Sequence, residues 1–192
     1  MILEKLLKEF EVDANAFTAK ESELFDTYFE KIKVKRNEFL VQEGELERYS
    51  YFIYEGIARC WTLNQKGEEQ TFWFCKEGNF SMSNIAFVLK TKSDFNVQVL
   101  VDSLVFRIDR TQVEQLYKAI PKLKDVLDNL TAILLNKVLK RNIDLIKYTP
   151  EQHYLKMIQD YGSAINYIPL KDIASYLGIT PQALSRIRKR IF

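Results

Sequence analysis

Leu170 to Phe192 reads LKDIASYLGITPQALSRIRKRIF. Its apolar and breaker residues predict two short helices around a tight turn. Ile173 and Leu177 are four apart and share a helix face. Ala174 is small where a second helix must cross closely. Gly178 suits the left-handed backbone that ends a helix. Ile179 plugs the turn, Thr180 caps the next helix and Pro181 begins it. Leu184, Ile187 and Ile191 stand at i, i+3 and i+7 and face back into a core.

The opposite face of the second helix carries Gln182, Ser185, Arg186 and Lys189, with Arg188 and Arg190 beside it. This pattern predicts a helix-turn-helix with a basic, hydrogen-bonding outer surface. In such motifs the second helix enters the DNA major groove and its first residues meet base edges. Arginine pairs bidentately with guanine and glutamine with adenine. A plain helical hairpin would leave this charged side merely solvated. Against it stand the Gly178 and Thr180-Pro181 spacing and four basic residues in the last seven.

Thr149-Pro150 begins another helix, EQHYLKMIQDYG, with Tyr154, Leu155, Ile158 and Tyr161 on one side and Gly162 as its stop. Before it, Pro121 opens a helical stretch to about Lys147, roughly 40 Å long at 1.5 Å per residue. Leu123, Leu127, Leu130 and Leu134 step by 4, 3 and 4, the spacing of a coiled-coil seam. The seam needs a cover, either the chain's own sheets or the same helix of a second chain. The second chain is the expected cover, so these four leucines are the expected dimerisation residues.

From about Lys31 to Asp109 the pattern changes to KIKVK, EFLVQ, SYFIYEG, IARCWTL, EQTFWFC, NVQVLV and LVFRID. These segments are rich in β-branched and aromatic residues, and Gly44, Gly56, Gly67 and Gly78 punctuate them at intervals of 11 or 12. That spacing predicts an all-β sandwich or barrel, with a rolled form favoured because it closes the edges. The first 30 residues read as packing helices, with a Thr18-x-x-Glu21 capping box.

At 192 residues, 47% apolar and 28% charged, the chain is long enough for a sizeable core. Residues 1–136 carry 18 Lys/Arg against 22 Asp/Glu, and residues 137–192 carry 10 against 4. A basic C-terminal part beside an acidic remainder predicts a polyanionic partner there. Two cysteines exclude a disulfide scaffold, and the charged Met1 end is too short for a signal peptide. No apolar run reaches the ~18 residues of a membrane span, so a cytoplasmic protein without membrane contact is expected. One histidine, His153, lies beyond the sheets, which leaves too few ligands for a metal-dependent cupin and no base for a nucleophile. No enzyme activity and no cofactor are expected. Cys60 and Cys75 read as buried strand packing, and His153 as a capping or packing residue.

NEFLVQEGE, YFIYEGIAR, KEGNF and above all YIPLKDIASYLGITPQALSRIRKRI resemble the Crp/Fnr family of transcription regulators over roughly residues 20–192. The resemblance implies an α+β chain in three parts. These are a cyclic-nucleotide-binding-type β-roll, or jelly roll, with N-terminal helices (1–120), a dimerisation helix (121–148) and a winged-helix-like DNA-binding domain (149–192). It implies homodimerisation, binding to double-stranded DNA, contact with RNA polymerase and a small-molecule effector. It puts Gln182 and Arg186 at base-reading positions, with Thr180 and Ser185 near phosphates or bases. The effector pocket would involve Phe80, Met82, Ser83, Asn84 and Asn96.

Departures from the family concern the effector. Members that bind cyclic AMP carry a Gly-Glu pair after the turn that is Gly78-Asn79-Phe80 here, and an arginine about a dozen residues on. Here Met82 and Ser83 replace the pair, and no arginine occurs between Arg59 and Arg107. Lys90 and Lys92 lack the planar fork that matches a phosphate. The expectation is therefore a regulator that does not respond to cyclic AMP. The other reading is a sensing module whose DNA-binding end is weak or vestigial. Only Phe192 follows Ile191, leaving no room in this sequence for a β-hairpin wing, so NYIPL is the expected source of any short strand.

Overall fold

The computed structural model describes residues 1–13, 16–81 and 84–191. Helices α1 (Ile2–Glu9) and α2 (Ala19–Thr27) come first. Five strands follow: β1 (Glu30–Val34), β2 (Phe39–Val41), β3 (Tyr49–Glu55), β4 (Ile57–Leu63) and β5 (Glu69–Lys76). A short helix α3 (Asn84–Leu89) leads to β6 (Asn96–Val99) and β7 (Ser103–Asp109). Each expected strand segment is present, and both sheets are antiparallel, in the orders β1-β7-β3 and β2-β6-β4-β5. The β3–β4 connection is tight enough to demand glycine. Gly56 has φ +110°, and a Cβ there would come within 2.1 Å of Ser103 Oγ.

The sheets enclose Val34, Val41, Ile53, Cys60, Cys75, Val97, Val99 and Val105. Along β4, Ala58 and Cys60 enter this space, whereas Ile57 joins a second apolar cluster with the C-terminal helices. β4 is thus buried on both faces from Ile57 to Trp61.

Helix α4 (Arg110–Ala119), capped by Asp109 and absent from the sequence reading, precedes α5 (Leu123–Lys147). Pro121 lies in the connecting turn rather than in the first turn of α5. The C-terminal part comprises α6 (Pro150–Tyr161), a 3-10 helix (Gly162–Tyr167), α7 (Leu170–Tyr176) and α8 (Pro181–Ile191). NYIPL forms no strand: Asn166 and Tyr167 end the 3-10 helix and Pro169 caps α7.

The expected dimer seam is corrected by this packing. Leu123 and Leu130 are 0% and 5% exposed within a core built with α1, α2 and α4, and Leu127 packs against it. Leu134 is half-buried on the same helix face. The apolar N-terminal helices supply the cover that the sequence assigned to a second chain. A different stripe is left open: Leu135, Leu139, Ile143 and Ile146 are 59%, 53%, 49% and 87% exposed. Leu139 lies nine residues beyond Leu130, about two and a half turns, and so points the opposite way.

Candidate nucleic-acid interface

The turn before α8 is built as its residues require. Gly178 takes φ +69°. Thr180 Oγ1 accepts from the Ala183 N–H at 3.2 Å, and Pro181 begins the helix. Leu184 and Ile187 are buried among Tyr154, Met157, Ile173 and Leu177, with Ile179 and Ile191 packed against them. This anchoring fixes the rotation of α8, so Gln182, Arg186, Arg188 and Lys189 are exposed and Ser185 is half-exposed. Thr180 is also exposed.

The start of α6 borders the same surface. Thr149, Pro150 and Glu151 line a cleft with Ala183, Arg186 and Lys189. Glu151 Oε2 accepts from Arg190 Nη2 at 2.6 Å, which ties α6 to the last turn of α8. The Gln152 N–H donates to Thr149 Oγ1 at 3.3 Å, so Thr149 caps α6.

Behind this surface the C-terminal helices rest on the outer face of the larger sheet, through a contact the sequence reading missed. Arg59 of β4, 4% exposed, donates from Nη1 to Asp172 Oδ1 of α7 at 2.7 Å, and Asp172 is 3% exposed. The same guanidinium bonds Gln98 Oε1 from Nε and Nη2 at 3.2 and 2.9 Å, pairs with Glu69, and stacks over Trp61 at 5.0 Å. Burial pushes the Asp172 carboxyl above its usual range, against the pull of Arg59. Nearby, the Thr71 N–H donates to Ser175 Oγ at 2.8 Å, Ser175 Oγ–H donates to the Glu69 carbonyl at 3.1 Å, and Gln70 Nε2 donates to the Ser175 carbonyl. The signal was present in β4: a lone arginine inside an apolar strand, on the face opposite Ala58 and Cys60.

Residues 31–119 match the cyclic nucleotide-binding domain family. Solved structures extend the likeness to the whole fold. FixK2 from Bradyrhizobium japonicum is 19% identical at TM-score 0.72, over 85% of this chain and 84% of that one. The Thermus thermophilus catabolite activator protein is 16% identical at 0.59, over 97% and 86%. CLP of Xanthomonas campestris, described as a c-di-GMP-responsive global regulator, is 12% identical at 0.67, over 91% of each. The chain has the Crp/Fnr fold. No curated protein matches the sequence significantly.

The interior between the two sheets of the matched segment is occupied by its own side chains. Tyr49, Phe72 and Phe95 join its core, and Phe72 meets Phe95 edge-on with centroids 5.0 Å apart. Of the expected effector residues, Phe80 packs elsewhere, edge-on to Phe52 at 5.3 Å in the N-terminal core. Asn96 Oδ1 accepts from the Glu43 N–H at 3.0 Å, which fixes the β2–β6 edge. Met82, Ser83 and the Asn84 side chain lie outside the described residues. Cys60 and Cys75 are buried with Sγ atoms 3.7 Å apart. His153 Nε2 meets the Asp144 carbonyl at 2.8 Å, a packing contact at the α5–α6 junction. Among the described residues, no group of three or more His, Cys, Asp or Glu could hold a metal ion, and no helix could cross a membrane.

Proposed function

We propose that this chain is a homodimeric, sequence-specific DNA-binding regulator of the Crp/Fnr type that does not answer to cyclic AMP. The supporting observation is the rotation of α8: Leu184 and Ile187 are buried while Gln182, Arg186 and Lys189 stand free on one face. Arg186 and Gln182 read base edges, Thr180 and Ser185 bind near phosphates or bases, and Arg188 and Lys189 neutralise the backbone. The domain division is 1–120, 121–148 and 149–192. Two neighbours described as an activator and a global regulator fit this reading.

The stripe Leu135, Leu139, Ile143 and Ile146 is the proposed dimer contact, in place of Leu123 and Leu130. Arg59, the arginine nearest in sequence before the altered turn, is committed to Asp172 and is not free for a cyclic phosphate.

Selection of bound DNA from a random pool tests the reading. An inverted repeat with half-sites about 34 Å apart, one helical turn, is the expected product. A pool that stays random would contradict it.

A further inference from the structure

We infer that the junction of β5, α5, α6 and α7 is a binding site for a small organic polyanion with a planar ring, the class of a phosphorylated aromatic metabolite. This site is separate from the interior of the sheets and from the exposed face of α8. It does not depend on the DNA-binding reading.

A cavity of about 370 Å³ opens there. That volume falls in the roughly 300–1,000 Å³ range of small-molecule sites and is far too small for a duplex. Its cations come from three elements: Lys76 of β5, Lys137, Lys140 and Arg141 of α5, and Lys156 of α6. Three carboxylates share the wall, Glu9, Asp144 and Asp160. Two cations are already paired, Lys76 with Glu9 at 3.1 Å and Lys156 with Asp144. Lys137, Lys140 and Arg141 have no carboxylate partner among the described residues.

Those three cations stand at i, i+3 and i+4, on one face of a single helix. Like charges at this spacing repel and weaken the helix unless a counter-charge arrives. Arg141 is held ready for one. Its guanidinium lies over the Tyr176 ring at 4.4 Å, and Nη2 donates to the Tyr176 carbonyl at 3.2 Å. Its Nε–H is buried without a hydrogen-bond partner. A buried unpaired donor on a fixed guanidinium fork suits an oxygen of a phosphate or carboxylate.

Aromatic groups make up much of the remaining wall. Trp73, Phe74, Tyr161 and Tyr176 line the cavity, and the Phe74 and Tyr176 rings are 5.3 Å apart. Such faces accept a planar ring by stacking. An occupant would bridge the sheets, α5 and the C-terminal helices, so it would stabilise their docked arrangement by mass action.

Trp73 lines the cavity and is one of only two tryptophans, which gives an optical readout. The full chain is titrated with AMP and with inorganic pyrophosphate, following tryptophan fluorescence and thermal shift. AMP should quench saturably at or below ~1 mM and bind more tightly than pyrophosphate. K140Q/R141Q should raise the half-saturation point at least about tenfold, the loss of two charge-assisted contacts, while K189Q on the α8 face leaves it unchanged. Lys140 is exposed, so K140E alone decides the matter if the double variant fails to fold. No saturation with either probe would overturn the site. Equal weakening in K189Q would reduce it to general surface charge and overturn it as well. AMP binding no tighter than pyrophosphate would overturn the aromatic part of the assignment.

Discussion

Glu21 joins the two ends of the N-terminal core. Its carboxylate accepts from the Thr18 N–H at 2.8 Å and from Thr18 Oγ1–H at 2.9 Å, and pairs with Lys122 Nζ at 2.9 Å. The Thr18 backbone bond, then Lys122, then the Thr18 hydroxyl hold the carboxyl down to about 2, from the usual 4.5. A carboxylate with a depressed folded pKa stabilises fully above its unfolded value and loses that effect as pH falls through the folded value. The difference in stability between wild type and E21Q should therefore shrink from pH 4.5 down to about 2, and stay level above. Urea unfolding across that range measures it, and parallel curves throughout would refute it. At this scale the sequence was informative wherever partners lie a few residues apart. The Thr18–Glu21 box, the Gly178 turn and the Thr180 cap are all local pairings. The apolar strand around Arg59 marks it as unusual, but its partner was not legible, because Asp172 lies 113 residues away.

The central element is α5, a helix with two different apolar faces. Periodicity identifies an apolar face but not what covers it. Of the regular 4-3-4 leucines, Leu123, Leu127 and Leu130 turned out to serve the N-terminal core, since α1 and α4 bring enough apolar surface to bury Leu123 and Leu130 completely or nearly so. The less regular Leu135, Leu139, Ile143 and Ile146 were left exposed. Two substitutions separate the faces. Leu130→Ala should cost roughly 2–5 kcal/mol of folding stability by emptying a packed site, with the association state unchanged. Leu139→Asp should keep the fold and weaken dimerisation. Each buried leucine contributes about 1.5–3 kcal/mol and counts twice in a symmetric dimer, so the dissociation constant should rise on the order of 100-fold or more. Sedimentation and thermal unfolding read the two effects. A Leu139→Asp protein as dimeric as wild type would exclude the proposed stripe.

Over the whole molecule, the sheets and the C-terminal helices are held together by a mixed contact. Ile57, Phe74 and Leu100 meet Tyr154, Ile173 and Leu177 in one apolar cluster, with the Arg59–Asp172 pair beside it. Removing one partner of a buried pair leaves an uncompensated charge and typically costs about 3–5 kcal/mol. For Asp172→Ala the cost should fall at the lower end, because Glu69 remains against Arg59. Residues 149–192 should then exchange their amide hydrogens faster while the sheets stay protected. Unchanged exchange in those helices would show that the pair does not hold them. The order of parts, from strands to long helix to turn-linked helices, was legible because each has its own hydrophobic period. Their mutual docking was not, since it depends on contacts between residues about 100 positions apart.

Recognition of DNA by α8 is tested most directly by fluorescence anisotropy on the selected inverted repeat and on a scrambled duplex, with wild type and Arg186→Ala at two salt concentrations. Wild type should prefer the repeat and bind less tightly as salt rises. Arg186→Ala should lose roughly 1–3 kcal/mol on the repeat and relax the choice of base at one position, with little change on the scrambled duplex. Equal affinity for both duplexes, the same for wild type and variant, would contradict a base-reading role for this helix.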